Sequence, residues 1–136
     1  ENTEEAYRIT QDYLRTYPDL KGIIALGAPN PAGVARAVKE AGLVGKVAVT
    51  GNSTPNLIRP YIKDETVRKA LLWNAPDHGY LTVWSTYRLL RGELKPDVGF
   101  KAGRLGTFVP KRDTQNMQVA LPVLTFTKQN IDEYDF

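Results

Sequence analysis

The apolar positions of this chain recur in two rhythms that alternate along its first two thirds. In the opening segment Ala6, Ile9, Tyr13, Leu14 and Tyr17 fall at helical spacing, with Glu4, Glu5, Arg8 and Asp12 between them. That spacing predicts an amphipathic helix with this apolar stripe buried, capped by Asn2 or Thr3 and stopped by Pro18. The rhythm then changes to a continuous apolar run, Gly22-Ile23-Ile24-Ala25-Leu26, which predicts a short strand covered on both faces. The turn Gly27-Ala28-Pro29-Asn30-Pro31 follows, with Asn30 suited to cap a helix and Pro31 to its first position. Val34, Ala35, Val38 and Ala41 form that helix's stripe, and Gly42 ends it.

The same unit occurs twice more. Lys46 to Thr50 is a second strand, and Gly51-Asn52-Ser53-Thr54-Pro55 is a turn with Thr54 as cap. Its helix carries Leu57, Ile58, Tyr61 and Ile62, and Pro60 makes it short or kinked. Lys69 to Trp73 is the third strand and Asn74-Ala75-Pro76 the third turn. A helix from about Asp77 presents Tyr80, Val83, Trp84, Tyr87 and Leu90 and closes at Gly92. Strand, polar turn and helix in threefold succession predict an α/β fold, a parallel sheet flanked by helices. Right-handed crossovers set all three turns at the carboxyl ends of the strands, where ligands of open α/β sheets bind. Beyond Leu94 the rhythm is lost. Residues 96–114 read as loop with a short extended piece at Thr107-Phe108-Val109, and Val119 to Thr127, interrupted by Pro122, as an edge or crossing strand. Lys128 to Phe136 reads as a solvated acidic tail.

Composition narrows the chemistry. The 136 residues contain no Cys and a single His, His78, which excludes disulfides, thiolate metal sites and zinc sites built on several imidazoles. No apolar run approaches the roughly 20 residues of a membrane helix. The net charge of +3 is spread along the chain. Its densest basic stretch, Lys101, Arg104, Lys111 and Arg112, lacks the interleaved aromatics of a nucleic-acid surface, so no nucleic-acid partner is expected. Ser53 and Ser85 do not sit in a nucleophile elbow, and no base–nucleophile pair emerges; the chain reads as a non-enzyme without metal or cofactor. Asp64 and Glu65 read as surface charge at a helix end.

The three turns remain. Asn30, Asn52, Ser53 and Asn74 can exchange hydrogen bonds with hydroxyls, and the face of Trp73 can cover the C–H surface of a sugar ring. The same residues also serve as ordinary turn and capping residues, with Trp73 in the core.

At this point the sequence resembles a known family. Ile23-Ile24-Ala25, Val49-Thr50-Gly51-Asn52-Ser53-Thr54-Pro55-Asn56, Arg59-Pro60-Tyr61, Leu72-Trp73-Asn74 and the closing Asn130-Ile131-Asp132-Glu133-Tyr134-Asp135-Phe136 are similar to the periplasmic sugar-binding proteins of ABC importers, in the branch of the autoinducer-2 receptors and rhamnose-binding proteins. The resemblance implies a two-lobed type I periplasmic-binding-protein fold, of which this chain is the C-terminal half. Residues 1–74 are then βα units of the C-terminal lobe, 75–95 a helix of the N-terminal lobe, and 96–136 a loop, a crossing strand and the tail. The implied partners are a small carbohydrate, the permease subunits and the missing N-terminal lobe, and the implied location is periplasmic or that of an extracytoplasmic lipoprotein.

Carried over by position, the implied ligand contacts include Leu26, Ala28 and Pro29 beside Asn30, Asn52, Ser53, Trp73 and Asn74. The autoinducer-2 branch has Pro-Asp-Ala where this chain has Leu26-Gly27-Ala28, so only Ala28 matches. Related pentose binders have an Asp where Asn52 stands and a Gln where Asn74 stands. Two alternatives share this fold: a receptor domain reporting occupancy to a membrane sensor, and the effector domain of a sugar-responsive transcription regulator.

Overall fold

The computed structural model describes residues 2–136, which divide into two compact units. The first comprises the chain up to Leu72 together with Leu124–Phe136; the second is Trp73–Val123.

The first unit opens with α1 (Thr3–Thr16), whose Asn2 cap accepts from the N–H of Glu4 at 2.9 Å. Glu4 and Glu5 in the first turn and Arg15 in the last complement the helix dipole. The buried side of α1 differs from the expected stripe. Thr10 is buried, with its hydroxyl donating to the carbonyl of Ala6, and Ala6 and Leu14 pack on the core, whereas Ile9, Tyr13 and Tyr17 are exposed. The cause is the partner helix α2 (Asn30–Glu40): at its Gly33 an added Cβ would overlap the carbonyl oxygen of Thr3. So close an approach selects the small side of α1 and turns the tyrosines outward.

Strands β1 (Gly22–Ala25) and β2 (Ala48–Gly51) pair in parallel, in register from Gly22–Ala48 to Ala25–Gly51. Helix α3 (Pro55–Lys63) links β2 to β3 (Ala70–Leu72), which two parallel bridges, Val49–Val67 and Asn52–Leu71, set beside β2. α3 runs through Pro60 but is only 9 residues long. The core is Val34, Ala35 and Val38 of α2 and Ile58 and Ile62 of α3 against Ala25, Val47, Val49, Val67 and Ala70.

One expectation fails here. Strand β1 is covered on one face only: Ile24 is 74% and Leu26 73% exposed. Because β1, β2 and β3 succeed one another in a single direction, right-handed crossovers put α2 and α3 on the same side. The other face receives no helix from the described residues of this unit.

At the start of α2, Pro29 holds the cap position and Asn30 is the first helical residue, in place of the Asn30 cap and Pro31 start expected. The amide of Asn30 folds back instead, donating from Nδ2 to the carbonyl of Leu26 at 2.6 Å.

The C-terminal tail is docked, which corrects the solvated reading. Ile131 is fully buried and Tyr134 packs edge-on against Phe126. Arg59 of α3 donates to the carbonyls of Ile131 (2.9 Å) and Tyr134 (2.6 Å), and Asp132 pairs with Arg59 and Lys63.

In the second unit, α4 (Ala75–Leu90) begins at Asn74, whose Oδ1 accepts from the N–H of Asp77 at 3.0 Å, and ends before Gly92 at φ +68°. Its buried position is Leu81, helped by Trp84; Val83, Tyr87 and Leu90 of the expected face are exposed. The expected loop contains two small antiparallel pairs, β4 (Phe100–Lys101) with β5 (Thr107–Phe108) and β6 (Lys111–Asp113) with β7 (Asn116–Gln118). Leu81, Phe100 and Ala102 form the core of this unit. The last strand, β8 (Leu124–Phe126), belongs to the first unit and pairs antiparallel with β3, so only the end of the run from Val119 is extended there.

Candidate functional site

The turns after β1 and β2 emerge side by side because the strands are parallel and in register to their last residues. Gly51 permits this: a Cβ there would overlap the carbonyl oxygen of Ala25. Gly27 lies at φ +92°, a backbone conformation that favours glycine, and the turn closes with the N–H of Asn30 donating to Gly27 O at 2.9 Å.

Side chains then tie the two turns together. The N–H of Gly27 donates to Asn52 Oδ1 at 2.9 Å, and Ser53 Oγ donates to the carbonyl of Ala28 at 2.7 Å. The N–H of Ser53 donates to Leu71 O at 3.1 Å, which joins the end of β3 to the same edge. Thr3 Oγ1 donates to Pro29 O at 3.1 Å and anchors the first turn to α1.

The residues expected to touch a ligand therefore take different places. Leu26 is exposed, and Ala28, Pro29, Asn30 and Asn52 are half-buried. Ser53 is wholly buried with its hydroxyl engaged, so it braces the turns from beneath. In the second unit Trp73 is 52% exposed, which removes it from the core, and Asn74 spends its amide oxygen on capping α4. Gly27 and Gly51 shape the site as well, although neither carries a side chain that could announce a ligand contact. Their signal in the sequence was a glycine at each strand end.

No ionisable side chain occurs in residues 26–30 or 52–54, so this edge offers amides, carbonyls and apolar surface without formal charge. The displaced pKa values belong to surface pairs elsewhere. The hydrogen bond from Lys63, joined by Arg59, holds Asp132 below the usual carboxylate range, and Arg91 with Arg88 does the same to Glu93. For Asp64, burial pushes upward, but Lys39 and Thr66 together bring the net direction down. The basic stretch is partly neutralised, with Arg104 on Asp77 and Lys111 on Asp97. A cavity of about 460 Å³ runs along α4 between Leu81, Ser85, Leu94 and Met117, and none of the candidate residues lines it.

Residues 1–94 match the model of a family described as a periplasmic binding protein domain. A solved structure described as a sugar ABC transporter, from Actinomyces odontolyticus, is similar over 99% of this chain, with 30% identity and a TM-score of 0.79; the match covers 43% of that chain. LsrB from Clostridium saccharobutylicum, solved in complex with AI-2, is 25% identical over 99% of this chain and 46% of its own, with a TM-score of 0.75. An ABC transporter solute-binding protein from Clostridium phytofermentas, with bound L-rhamnose, shares the fold at 23% identity and a TM-score of 0.78, over 98% of this chain and 45% of its own. The chain thus spans less than half the length of each. The α/β architecture is that of a fragment of the two-lobed periplasmic-binding-protein fold, in a family of binders rather than enzymes.

Proposed function

Because the chain belongs to the periplasmic binding protein domain family, we propose that it supplies one wall of the ligand cleft in a solute-binding protein that delivers a small neutral carbohydrate to an ABC importer. The observation that carries this reading is the pair of cross-linked, uncharged turns at the carboxyl ends of β1 and β2. Such an edge matches a polyol, whose hydroxyls need donors and acceptors but no counter-charge.

In this reading Leu26, Ala28, Pro29, Asn30 and Asn52 meet the ligand, Ser53 holds them in place, and Trp73 with Asn74 marks a hinge. Residues 1–74 form part of the C-terminal lobe, 75–95 a helix of the N-terminal lobe, and 96–136 the returning loop, crossing strand and tail. The bare face of β1, with Ile24 and Leu26 in solvent, favours further polypeptide against this sheet, since parallel sheets are normally covered on both sides. The ligand is of the rhamnose or autoinducer-2 class, which the two Clostridium proteins hold in their structures. The protein works outside the cytoplasm, in the periplasm or on a lipid anchor. Ligand contacts favour lobe closure by no more than their differential affinity for the closed and open states, and the permease reads the closed shape.

Calorimetry of the two-lobed protein containing this chain tests the reading, with L-rhamnose, D-ribose and autoinducer-2 as ligands. Saturable heat with at least one is expected. No heat with any of them, nor with other neutral sugars, contradicts it.

A further inference from the structure

We propose that the amino edge of the β1–β2–β3 sheet, opposite the candidate ligand turns, binds a small oxyanion of the phosphate class through Lys21, Lys46 and Arg68. None of these residues takes part in the carbohydrate reading, so the two sites stand or fall separately.

Topology brings the three cations together. Lys21 directly precedes β1, Lys46 stands two residues before β2, and Arg68 follows Val67 on the way into β3. The strands run parallel, with Gly22 beside Ala48 and Val49 beside Val67, so their amino ends lie at one edge. The N–H of Ala48 donates to Lys21 O at 2.9 Å and ties the start of β1 to that of β2. All three residues line one cavity of about 260 Å³, room for a tetrahedral oxyanion with part of its water shell.

Charge decides what fits. Glu65 is the only carboxylate lining this cavity, and Lys128 offsets it at 3.5 Å. Lys21, Lys46 and Arg68 form no ion pair among the described residues. Three like charges on one small concave surface repel each other and concentrate a positive potential; an anion relieves the repulsion and is drawn by the potential. Thr66 forms the buried part of the lining, 5% exposed, and its hydroxyl makes no hydrogen bond. The neighbouring Asp64 takes the Thr66 N–H at 3.0 Å and pairs with Lys39, so it leaves that hydroxyl unspent. Phosphate or sulfate brings several charged acceptors, which suit two ammonium groups and a guanidinium able to bond two oxygens at once. A neutral sugar leaves the three charges unmet.

In ¹H–¹⁵N spectra of the 136-residue chain at constant ionic strength, inorganic phosphate should give saturable shifts at Lys21, Gly45, Lys46, Thr66 and Arg68. Half-saturation is expected at about 1–10 mM phosphate, and chloride in its place should give none. Lys46→Gln combined with Arg68→Gln should weaken phosphate about tenfold, with the rest of the spectrum native-like. Lys101→Gln with Arg112→Gln removes the same charge from exposed positions of the second unit and should leave the affinity within about twofold. Glycerol 3-phosphate is the second probe. Tighter binding than phosphate supports the site with a phosphate ester as its ligand, and equal or weaker binding supports it with the free anion. Shifts that fail to saturate by about 50 mM phosphate overturn the site. So does undiminished affinity in the Lys46/Arg68 variant, or an equal loss in the Lys101/Arg112 control.

Discussion

The Ser53 hydroxyl donates to the carbonyl of Ala28 at 2.7 Å, joining two turns that are 25 residues apart in the chain. Ser53 is fully buried, so this bond replaces water for both groups. Together with the Gly27–Asn52 bond it makes one piece of two loops that would otherwise move separately. A site built on loops gains from such bracing, because ordering them on binding costs affinity. Ser53→Ala leaves the Ala28 carbonyl without its partner and should cost about 1–2 kcal/mol, read as a lower urea midpoint at unchanged slope. A midpoint equal to that of the native chain would show that the brace contributes nothing.

The contact between α1 and α2 makes a second, sharper prediction. At Gly33 a methyl group would collide with the backbone of Thr3, whereas at Gly79, within α4, it would meet open space. Gly33→Ala should therefore destabilise by about 1–3 kcal/mol, the usual range for overpacking. Gly79→Ala should stabilise by up to about 1 kcal/mol through helix propensity. Thermal melts of the two variants, run beside the native chain, should move in opposite directions.

The docked tail gives a pH dependence with a defined sign. Asp132 is held below its ordinary value of 3.8, first by the hydrogen bond from Lys63 and then by Arg59. A carboxyl with a lowered folded-state pKa contributes stability that is fully present above its unfolded value and is lost as pH falls through the folded one. Near-ultraviolet circular dichroism, which senses the Tyr134–Phe126 contact, should hold steady down to about pH 4 and decline below it. Glu4, Glu93 and Asp64 are lowered as well, so general unfolding overlaps this window. Asp132→Asn isolates the tail: its signal should already be weaker at neutral pH and should lose part of the acid-dependent decline.

The three strands and their turns were legible because each is a short apolar run closed by glycine, asparagine or proline, a signal contained within ten residues. The sides on which helices are buried were not. Ile9, Tyr13 and Tyr17 form as good a stripe as Ala6, Thr10 and Leu14 until Gly33 brings α2 within reach, and that contact lies some thirty residues away. The bare face of β1 was equally hidden, since an apolar run such as Ile23-Ile24-Ala25 looks the same whether one face or both are covered. The polar strands β6 and β7 carry no alternation that sets them apart from loop, and the tail reads as acidic until Arg59 is seen gripping its carbonyls. At the site, the residue identities could be read locally. The roles could not, because Asn52 and Ser53 bond across 25 residues and only the paired strands bring their partners near.

The most direct test of the central claim maps ligand onto residues. In ¹H–¹⁵N spectra of the 136-residue chain titrated with L-rhamnose, D-ribose or autoinducer-2 to high millimolar concentration, a one-walled site should bind weakly but in one place. Shifts are expected at Leu26, Gly27, Ala28, Asn30 and Asn52, with α1 and the docked tail unmoved. Saturable shifts that avoid both turns, or no shift with any of these sugars at any concentration, would contradict the account.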